Sequence, residues 1–201
     1  MQKHLFLVVA ILVLLPLGVV ITQEVLSTHD QDLWDATVPT LSKESRSGKR
    51  REFTKFKDYA SIPLKFSIKI PEDWTVEEEG NGVYFLSVPE GEDDKLRENI
   101  NVIREELSTD KSLDDYTEDA INQIKDLENY TLVGSQDITI DGLPGKTVVY
   151  TALVQNTPLE FQQAWTVKDG TAYLLTLATV HETFPEHAVL FVRMVNSMDL
   201  K

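Results

Sequence analysis

The chain has 201 residues, of which 42% are hydrophobic and 26% are charged, with a formal net charge of −14 and no cysteine. This composition supports one folded domain plus a tail. The absence of cysteine excludes disulfides, thiol nucleophiles, thiolate metal sites and a lipid-modified N-terminal cysteine. Residues 61–201 hold 11 basic and 26 acidic side chains. Such a surface repels a phosphate backbone, so we expect no nucleic-acid partner.

An apolar segment opens the chain. Residues 5–21 carry no charge and follow Lys3. The segment is longer than the apolar part of a usual signal peptide, about 7–15 residues, and slightly shorter than the ~20 residues that span a bilayer comfortably. No clear small-x-small cleavage site follows it. We therefore predict that residues 1–23 form a transmembrane signal anchor, with a cleaved signal peptide as the alternative.

The charges around this segment predict its orientation. Lys3 precedes the segment, whereas the stretch that follows contains Glu24, Asp30, Asp32 and Asp35 before any lysine or arginine. The positive-inside rule then leaves the N-terminus in the cytoplasm. We expect a membrane-anchored protein whose domain is extracytoplasmic, in a periplasm, at a cell surface or in a thylakoid lumen.

Residues 24–58 are predicted to form a polar and basic linker, because they are rich in serine and charged residues and lack apolar periodicity. Trp34 lies in this polar stretch just beyond the apolar segment, which favours a position at the membrane interface or against a partner. The basic cluster is predicted to be a solvated part of the linker, with contact to anionic headgroups or an acidic partner as the alternative. Its contact candidates are Arg46, Lys49, Arg50 and Arg51.

The folded domain is predicted over residues 59–201. Apolar and polar residues alternate around Phe66, which predicts a half-buried strand. Further strands are predicted over residues 83–88 and 99–107, and the acidic runs 77–79 and 90–94 are predicted to be solvated. Ser112 and Asp115 have the spacing of a capping box, with Asp in place of the usual Glu, and predict the start of an amphipathic helix.

The second half of the domain is predicted to contain four strands and a final helix. Residues 171–180 are apolar on both faces, which predicts a central position in the sheet. The final helix is predicted from Thr183, with a T-x-x-E cap and Pro185 in the first turn. The order β-β-β-α-β-β-β-β-α predicts an α+β fold with a largely antiparallel sheet flanked by helices. The four strands are predicted over residues 131–140, 146–154, 159–168 and 171–180.

Short motifs along residues 59–200 resemble one family in their joint order. The opening Ile70-Pro71-Glu72-Asp73-Trp74 resembles that family's Y-P-x-x-W motif, and Leu143-Pro144-Gly145 follows a strand as it does there. The domain is thus similar to the PsbP/DcrB-type superfamily, whose fold is an α-β-α sandwich. The other matching points are residues 99–102, 112–116, 172–176 and the final helix with Phe184, Phe191 and 196–197.

This resemblance implies a non-catalytic docking scaffold on the outer side of a membrane. Members include lumenal accessory subunits of photosystem II, exported proteins of bacteria and archaea, and a nuclear group that binds the GTPase Ran. No common catalytic site is known for them, so the resemblance implies no enzymatic activity and no cofactor. The partner that it implies is a membrane protein complex, such as photosystem II or another bioenergetic complex. This chain departs from the bacterial lipoprotein members in lacking their lipidated cysteine.

The histidines offer one weak metal candidate. His181, Glu182 and His187 miss the H-E-x-x-H spacing that puts two imidazoles on one helical face. We predict that both histidines lie at the helix cap, exposed or lightly hydrogen-bonded, with a Mn or Zn site as the alternative. Trp74 and Trp165 are predicted to be core aromatics.

Two functions follow for the whole chain. The first is a membrane-anchored, extracytoplasmic accessory subunit that docks on a membrane protein complex and contacts the bilayer through its N-terminal helix. The alternative is an extracytoplasmic module that binds a small solute or cation in a pocket between sheet and helix. The sequence contains neither a G-x-S-x-G nucleophile motif nor a phosphate-binding glycine loop, so neither of these motifs favours an enzyme.

Overall fold

The computed structural model describes residues 52–89, 97–108 and 111–201. The predicted anchor at residues 1–23 and most of the predicted linker lie outside these residues. Within the described part, no helix combines the length and the apolar character that a membrane span requires.

The described residues form ten strands and two helices. The first half contains β1 (Phe56–Ser61), β2 (Phe66–Pro71), β3 (Thr75–Glu79), β4 (Gly82–Leu86), β5 (Asn99–Glu106) and α1 (Leu113–Lys125). The second half contains β6 (Thr131–Ile140), β7 (Leu143–Val154), β8 (Thr157–Lys168), β9 (Thr171–Thr179), α2 (Phe184–Asn196) and β10 (Asp199–Leu200).

The strands form a large and a small sheet, and every pairing is antiparallel. The large sheet has seven strands in the order β3-β4-β5-β9-β8-β7-β6, and the small sheet has the order β1-β2-β10. Strand β9 is the middle strand of the large sheet and all of its residues are buried. The largely antiparallel α+β fold and the central position of residues 171–179 are therefore confirmed.

Two apolar cores lie on opposite faces of the large sheet, because its strands alternate their side chains between the faces. On one face, Phe161 and Trp165 of β8 pack with Tyr116 of α1. On the other face, Leu175 of β9 packs in the core that α2 and the small sheet close. The result is a helix, a sheet, and a mixed layer of helix and small sheet.

Helix α1 begins at the predicted capping box. The Ser112 hydroxyl accepts a hydrogen bond from the backbone N–H of Asp115 at 3.1 Å, and the Asp115 carboxylate accepts one from the backbone N–H of Ser112 at 3.0 Å. Two backbone N–H groups at the start of the helix that lack an intrahelical partner are satisfied in this way. These hydrogen bonds to the ionised form lower the pKa of Asp115.

Helix α2 is confirmed, but its predicted T-x-x-E cap is wrong. Thr183 has near-helical backbone angles (φ −101°, ψ −8°) and its side chain makes no capping hydrogen bond. An N-cap side chain usually reaches the first turn from an extended backbone, which Thr183 does not have. Its hydroxyl instead shares a hydrogen bond with the hydroxyl of Thr179.

Three strands lie where none was predicted. Strand β1 begins at Phe56, before residue 59, and the two-residue β10 follows α2. Strand β3 contains the acidic run 77–79, which is exposed as predicted. Because β3 is an edge strand whose side chains are almost all exposed, it has no apolar alternation to reveal it.

Gly145 is explained by a close approach between β7 and β8. A Cβ at this position would lie 2.6 Å from the backbone oxygen of Trp165. The hydroxyl of Thr166 donates to the backbone oxygen of Pro144 at 2.7 Å beside it. The Leu143-Pro144-Gly145 motif therefore has a packing role.

Candidate functional site

The linker joins the domain at one end of the small sheet, in a contact that we call the tether root. It consists of Phe53, Phe56 and Lys57 from the incoming chain, packed on Trp74, His187 and Arg193. The Phe53 ring centroid lies 5.3 Å from that of His187 and 6.2 Å from that of Trp74, with edge-on geometry in both pairs. Edge-to-face pairs add about 0.5–1.5 kcal/mol to the burial of the rings.

Two cations fix the backbone of the tether root. Arg193 donates from Nη1 to the backbone oxygen of Phe53 at 2.8 Å, and its guanidinium lies 5.6 Å from the ring centroid of Phe56. Lys57 donates from Nζ to the backbone oxygens of Glu72 and Trp74, each at 2.9 Å. The chain is thus attached to both α2 and the turn after β2. The first described residue, Glu52, therefore lies at this end of the domain.

His187 was predicted to be exposed or lightly hydrogen-bonded at the helix cap, and it lies inside the tether root, fully buried. Its Nδ1 is 2.9 Å from the backbone oxygen of Thr183, so this nitrogen carries the proton and donates. Its Nε2 has no hydrogen-bond partner in the described structure. The position lies on the apolar stripe of α2, three residues after Phe184, and that spacing is the signal in the sequence that could have predicted its burial.

His181 has a different partner. Its side chain is 76% exposed, and its Nδ1 lies 2.9 Å from Oε2 of Glu160. Burial raises the pKa of the Glu160 carboxyl, and the hydrogen bond and charge of His181 lower it in partial compensation.

The weak metal candidate is therefore divided between two environments. His181 pairs with Glu160, Glu182 is exposed, and His187 faces the core. Among the described residues, no group of three or more histidine and acidic side chains is placed to hold a metal ion.

The predicted contact residues of the linker are not part of the described structure. Trp34 and the basic cluster all lie before residue 52. By contrast, Trp74 and Trp165 are buried, as predicted for core aromatics. The contact residues outside the description are Trp34, Arg46, Lys49, Arg50 and Arg51.

A row of polar side chains crosses the face of the large sheet on which α1 packs. Tyr84, Asn101, Thr176 and Gln163 are cross-strand neighbours on four adjacent strands. Gln163 donates from Nε2 to the Thr176 hydroxyl at 3.0 Å, but Gln163 Oε1 and Asn101 Oδ1 are buried without a partner in the described structure. The same holds for Asn99 Oδ1 and the hydroxyl of Tyr150.

One residue in the sequence marks this row. Gln163 occupies a place in the β8 alternation between Phe161 and Trp165, where an apolar residue is expected. A buried polar side chain usually finds a hydrogen-bond partner, so an unpartnered row is an unusual feature of a core.

The fold recurs in distant solved structures. Cyanobacterial PsbP (CyanoP) from Synechocystis sp. PCC 6803 is 18% identical with a TM-score of 0.58, and the match covers 80% of this chain and 99% of that one. The protein PA94 of Pseudomonas aeruginosa is 17% identical with a TM-score of 0.55, over 74% and 99% of the two chains. LpqN of Mycobacterium tuberculosis, involved in cell envelope biogenesis, is 14% identical with a TM-score of 0.55, over 74% and 92%. At these identities the likeness concerns the fold alone.

Among curated proteins, none matches the chain. A family model described as PsbP-like protein matches residues 7–200, which is nearly the entire chain and includes most of the apolar segment. The match agrees with the antiparallel sheet, the two helices and the motif order described above. The chain belongs to the family of PsbP-like proteins.

Proposed function

We propose that this protein is a non-catalytic accessory subunit that is anchored in a membrane and docks its extracytoplasmic PsbP-like domain on a membrane protein complex. The tether root carries the proposal. It joins the segment that precedes residue 53 to the domain through the aromatic contacts of Phe53 and the hydrogen bonds of Lys57 and Arg193. An anchor at residues 1–23 would therefore be connected to a well-packed part of the domain.

The family match adds support for the anchor. It begins at residue 7, inside the apolar segment, so this segment belongs to the pattern that the family model describes. The flanking charges then favour an extracytoplasmic domain. We infer that the bilayer is contacted through residues 1–23 and through the basic cluster of the linker.

The charge of the domain favours a partner with a basic docking surface. Residues 61–201 have an excess of acidic side chains, and three of them, Glu77, Glu78 and Glu79, are exposed on the edge strand β3. Complementary charge accelerates the encounter of two proteins and helps to select the partner. The resemblance to lumenal accessory subunits favours photosystem II or another bioenergetic complex as the partner.

The proposal is tested by recovery of the complex from native membranes. The full chain, tagged at its C-terminus and extracted in mild detergent, should bring down a membrane complex in fixed stoichiometry by mass spectrometry. Leu12→Arg should remove the protein from the membrane fraction, because a charge at the centre of a span costs about 2.5–3.5 kcal/mol. Gln2→Arg adds the same charge outside the apolar segment and should leave the complex intact. Recovery of the protein alone would contradict the proposal.

A second function is favoured by the polar row. The oxygens of Asn99, Asn101 and Gln163 lack partners on the face that α1 covers, which suits a small polar solute or a cation between sheet and helix. Calorimetric titration of the full chain with calcium and with simple sugars tests it. Binding that is lost in Asn101→Leu and kept in Asn81→Leu, outside the row, would support this alternative.

A further inference from the structure

A cavity of about 210 Å³ lies at the end of the small sheet opposite the tether root. It is formed where the turn between β1 and β2 and the residue after β10 meet the ends of β5, β8 and β9 in the large sheet. We call it the basic pocket, and its lining residues are Lys65, Arg104, Glu106, Lys168, Asp169, Thr171, Tyr173 and Lys201. Its volume holds several water molecules, which is enough for a small anion with part of its hydration shell.

Positive charge is concentrated in the basic pocket. Residues 61–201 contain 11 basic side chains, and four of them line this one cavity: Lys65, Arg104, Lys168 and Lys201. Only two acidic side chains, Glu106 and Asp169, share the lining. Cations gathered in one concave site repel one another and raise the local concentration of anions. In a protein with a net charge of −14, this arrangement is opposite in sign to its surroundings.

Several hydrogen-bond donors of the pocket remain available. Arg104 gives Nη1 to Glu106 at 2.6 Å and Nη2 to the Thr171 hydroxyl at 3.4 Å, and each of these two nitrogens carries a second N–H, whereas Nε is buried. Lys168 gives Nζ to the backbone oxygen of Leu200 at 2.7 Å, and an ammonium group has three donors. These are charge-assisted donors, the kind that oxyanions prefer.

Lys65 has an unusual backbone for its residue type. Its φ is +57°, in the left-handed region, which costs a residue with a Cβ roughly 1 kcal/mol. Its backbone oxygen accepts a hydrogen bond from the N–H of Lys201 at 2.8 Å, which holds the two lysines together. Within the described residues, no hydrogen bond or ion pair engages Lys65 Nζ, so a cation is held at the mouth of the pocket with its donors unused.

We propose that the basic pocket binds a small oxyanion of the phosphate class. The four cations outnumber the three acids that line the pocket or pair with them, Glu106, Asp169 and Asp199, which favours an anion, and the Thr171 and Tyr173 hydroxyls add donors for its further oxygens. This site is separate from the tether root and from the docking function proposed above, since β1 lies between the two ends and six strand residues extend over about 20 Å.

Calorimetric titration of the full chain in detergent micelles with inorganic phosphate, at constant ionic strength set by sodium chloride, tests the proposal. We expect saturable binding of one phosphate per chain. Arg104→Gln and Lys65→Asn should each weaken it about tenfold, as expected for the loss of one charge-assisted contact worth about 1.4 kcal/mol. Asn tolerates the left-handed region, so Lys65→Asn removes the charge without disturbing the turn.

The control is Lys69→Gln, which removes the same charge from an exposed lysine outside the pocket and should leave phosphate binding unchanged. A parallel titration with succinate distinguishes the ligand class, and we expect it to bind at least tenfold more weakly than phosphate. Equal weakening by all three substitutions, tighter binding of succinate, or no saturable binding would overturn the proposal. If Arg104→Gln fails to fold, Lys65→Asn still tests the proposal, because this variant is expected to fold normally.

Discussion

The two ends of the small sheet use their cations in different ways. At the tether root, Lys57 and Arg193 donate to backbone oxygens and their charges help to hold the incoming chain. At the basic pocket, no hydrogen bond or ion pair engages Lys65 Nζ within the described residues, and Lys168 Nζ donates to one backbone oxygen with three donors to give. The cations of this protein thus stabilise the fold where aromatic rings pack beside them, and we propose that they bind a ligand where a cavity remains.

The largest effect is expected from the aromatic part of the tether root. Trp74 is 1% exposed, and its ring lies 6.2 Å from both Phe53 and His187. Trp74→Ala should lower the free energy of unfolding by about 3–5 kcal/mol, because it removes a large buried side chain and leaves a cavity. Urea denaturation measures this change. Ile62→Ala, at an 89% exposed site beside the basic pocket, should change it by less than about 0.5 kcal/mol. If the two variants lowered the free energy of unfolding by similar amounts, the two ends of the small sheet would not differ in their structural roles.

The structural use of cations at the tether root predicts the next largest effect. Lys57→Met keeps the aliphatic stem but removes both hydrogen bonds from Nζ, so unfolding should become about 1–2 kcal/mol easier. Lys69→Met removes only an exposed ion pair with Asp58 and should change the free energy of unfolding by about 0–1 kcal/mol. Denaturant titrations of both variants decide the point, and an effect no larger for Lys57 than for Lys69 would argue against a structural role.

A half-buried carboxyl on the face of the large sheet that α1 covers predicts a dependence on pH. Burial raises the pKa of Glu105, and the hydrogen bond from the Tyr116 hydroxyl at 3.3 Å lowers it in partial compensation. The folded state therefore binds this proton more tightly than the unfolded state does. It follows that the contribution of Glu105 to stability is full below its ordinary pKa and is lost as the pH rises through the raised value.

Glu105→Gln should remove this loss. Above the raised pKa, the variant should be more stable than the native chain by a few tenths to about 1 kcal/mol, with allowance for solvent screening of a partly exposed group. Thermal or urea unfolding from pH 4 to pH 8 measures the difference between the two proteins. A difference that does not grow with pH would show that burial does not control this carboxyl.

The smallest effects are expected on stability when the basic pocket is mutated and on phosphate affinity when the tether root is mutated. Lys65→Asn should change the free energy of unfolding by less than about 0.5 kcal/mol, because Asn tolerates the φ of +57° at this position. Phe53→Ala should destabilise the domain yet leave phosphate affinity unchanged. Urea denaturation of Lys65→Asn and calorimetric titration of Phe53→Ala with phosphate check the two statements. A loss of phosphate binding in Phe53→Ala would mean that the two ends are coupled.

Regular patterns made much of the fold predictable. The strict alternation of β8, the apolar faces of β9 and the Ser112–Asp115 capping box all depend on residues close together in the sequence. Strand β3 was missed because an exposed edge needs no apolar face. The helical spacing from Phe184 placed His187 on a buried stripe, but histidine carries no apolar signal of its own.

The basic pocket could not be predicted for a different reason. Its residues are far apart in the sequence and meet only because β5, β9 and β8 pair in register, with Arg104 opposite Tyr173 and Glu106 opposite Thr171. Lys201 then reaches Lys65 through the pairing of β10 with β2. Such a set of charges depends on strand register and on the packing of one sheet against another, neither of which periodicity reveals.

The central claim is that the folded domain is displayed outside the membrane by an uncleaved anchor that leaves from the tether root. Protease treatment of right-side-out vesicles from cells expressing the full chain tests it most directly. We predict that externally added protease digests the domain while a small N-terminal fragment remains in the vesicle membrane. A domain that survives until the vesicles are broken, or a full-length chain found outside the membrane pellet, would contradict the claim.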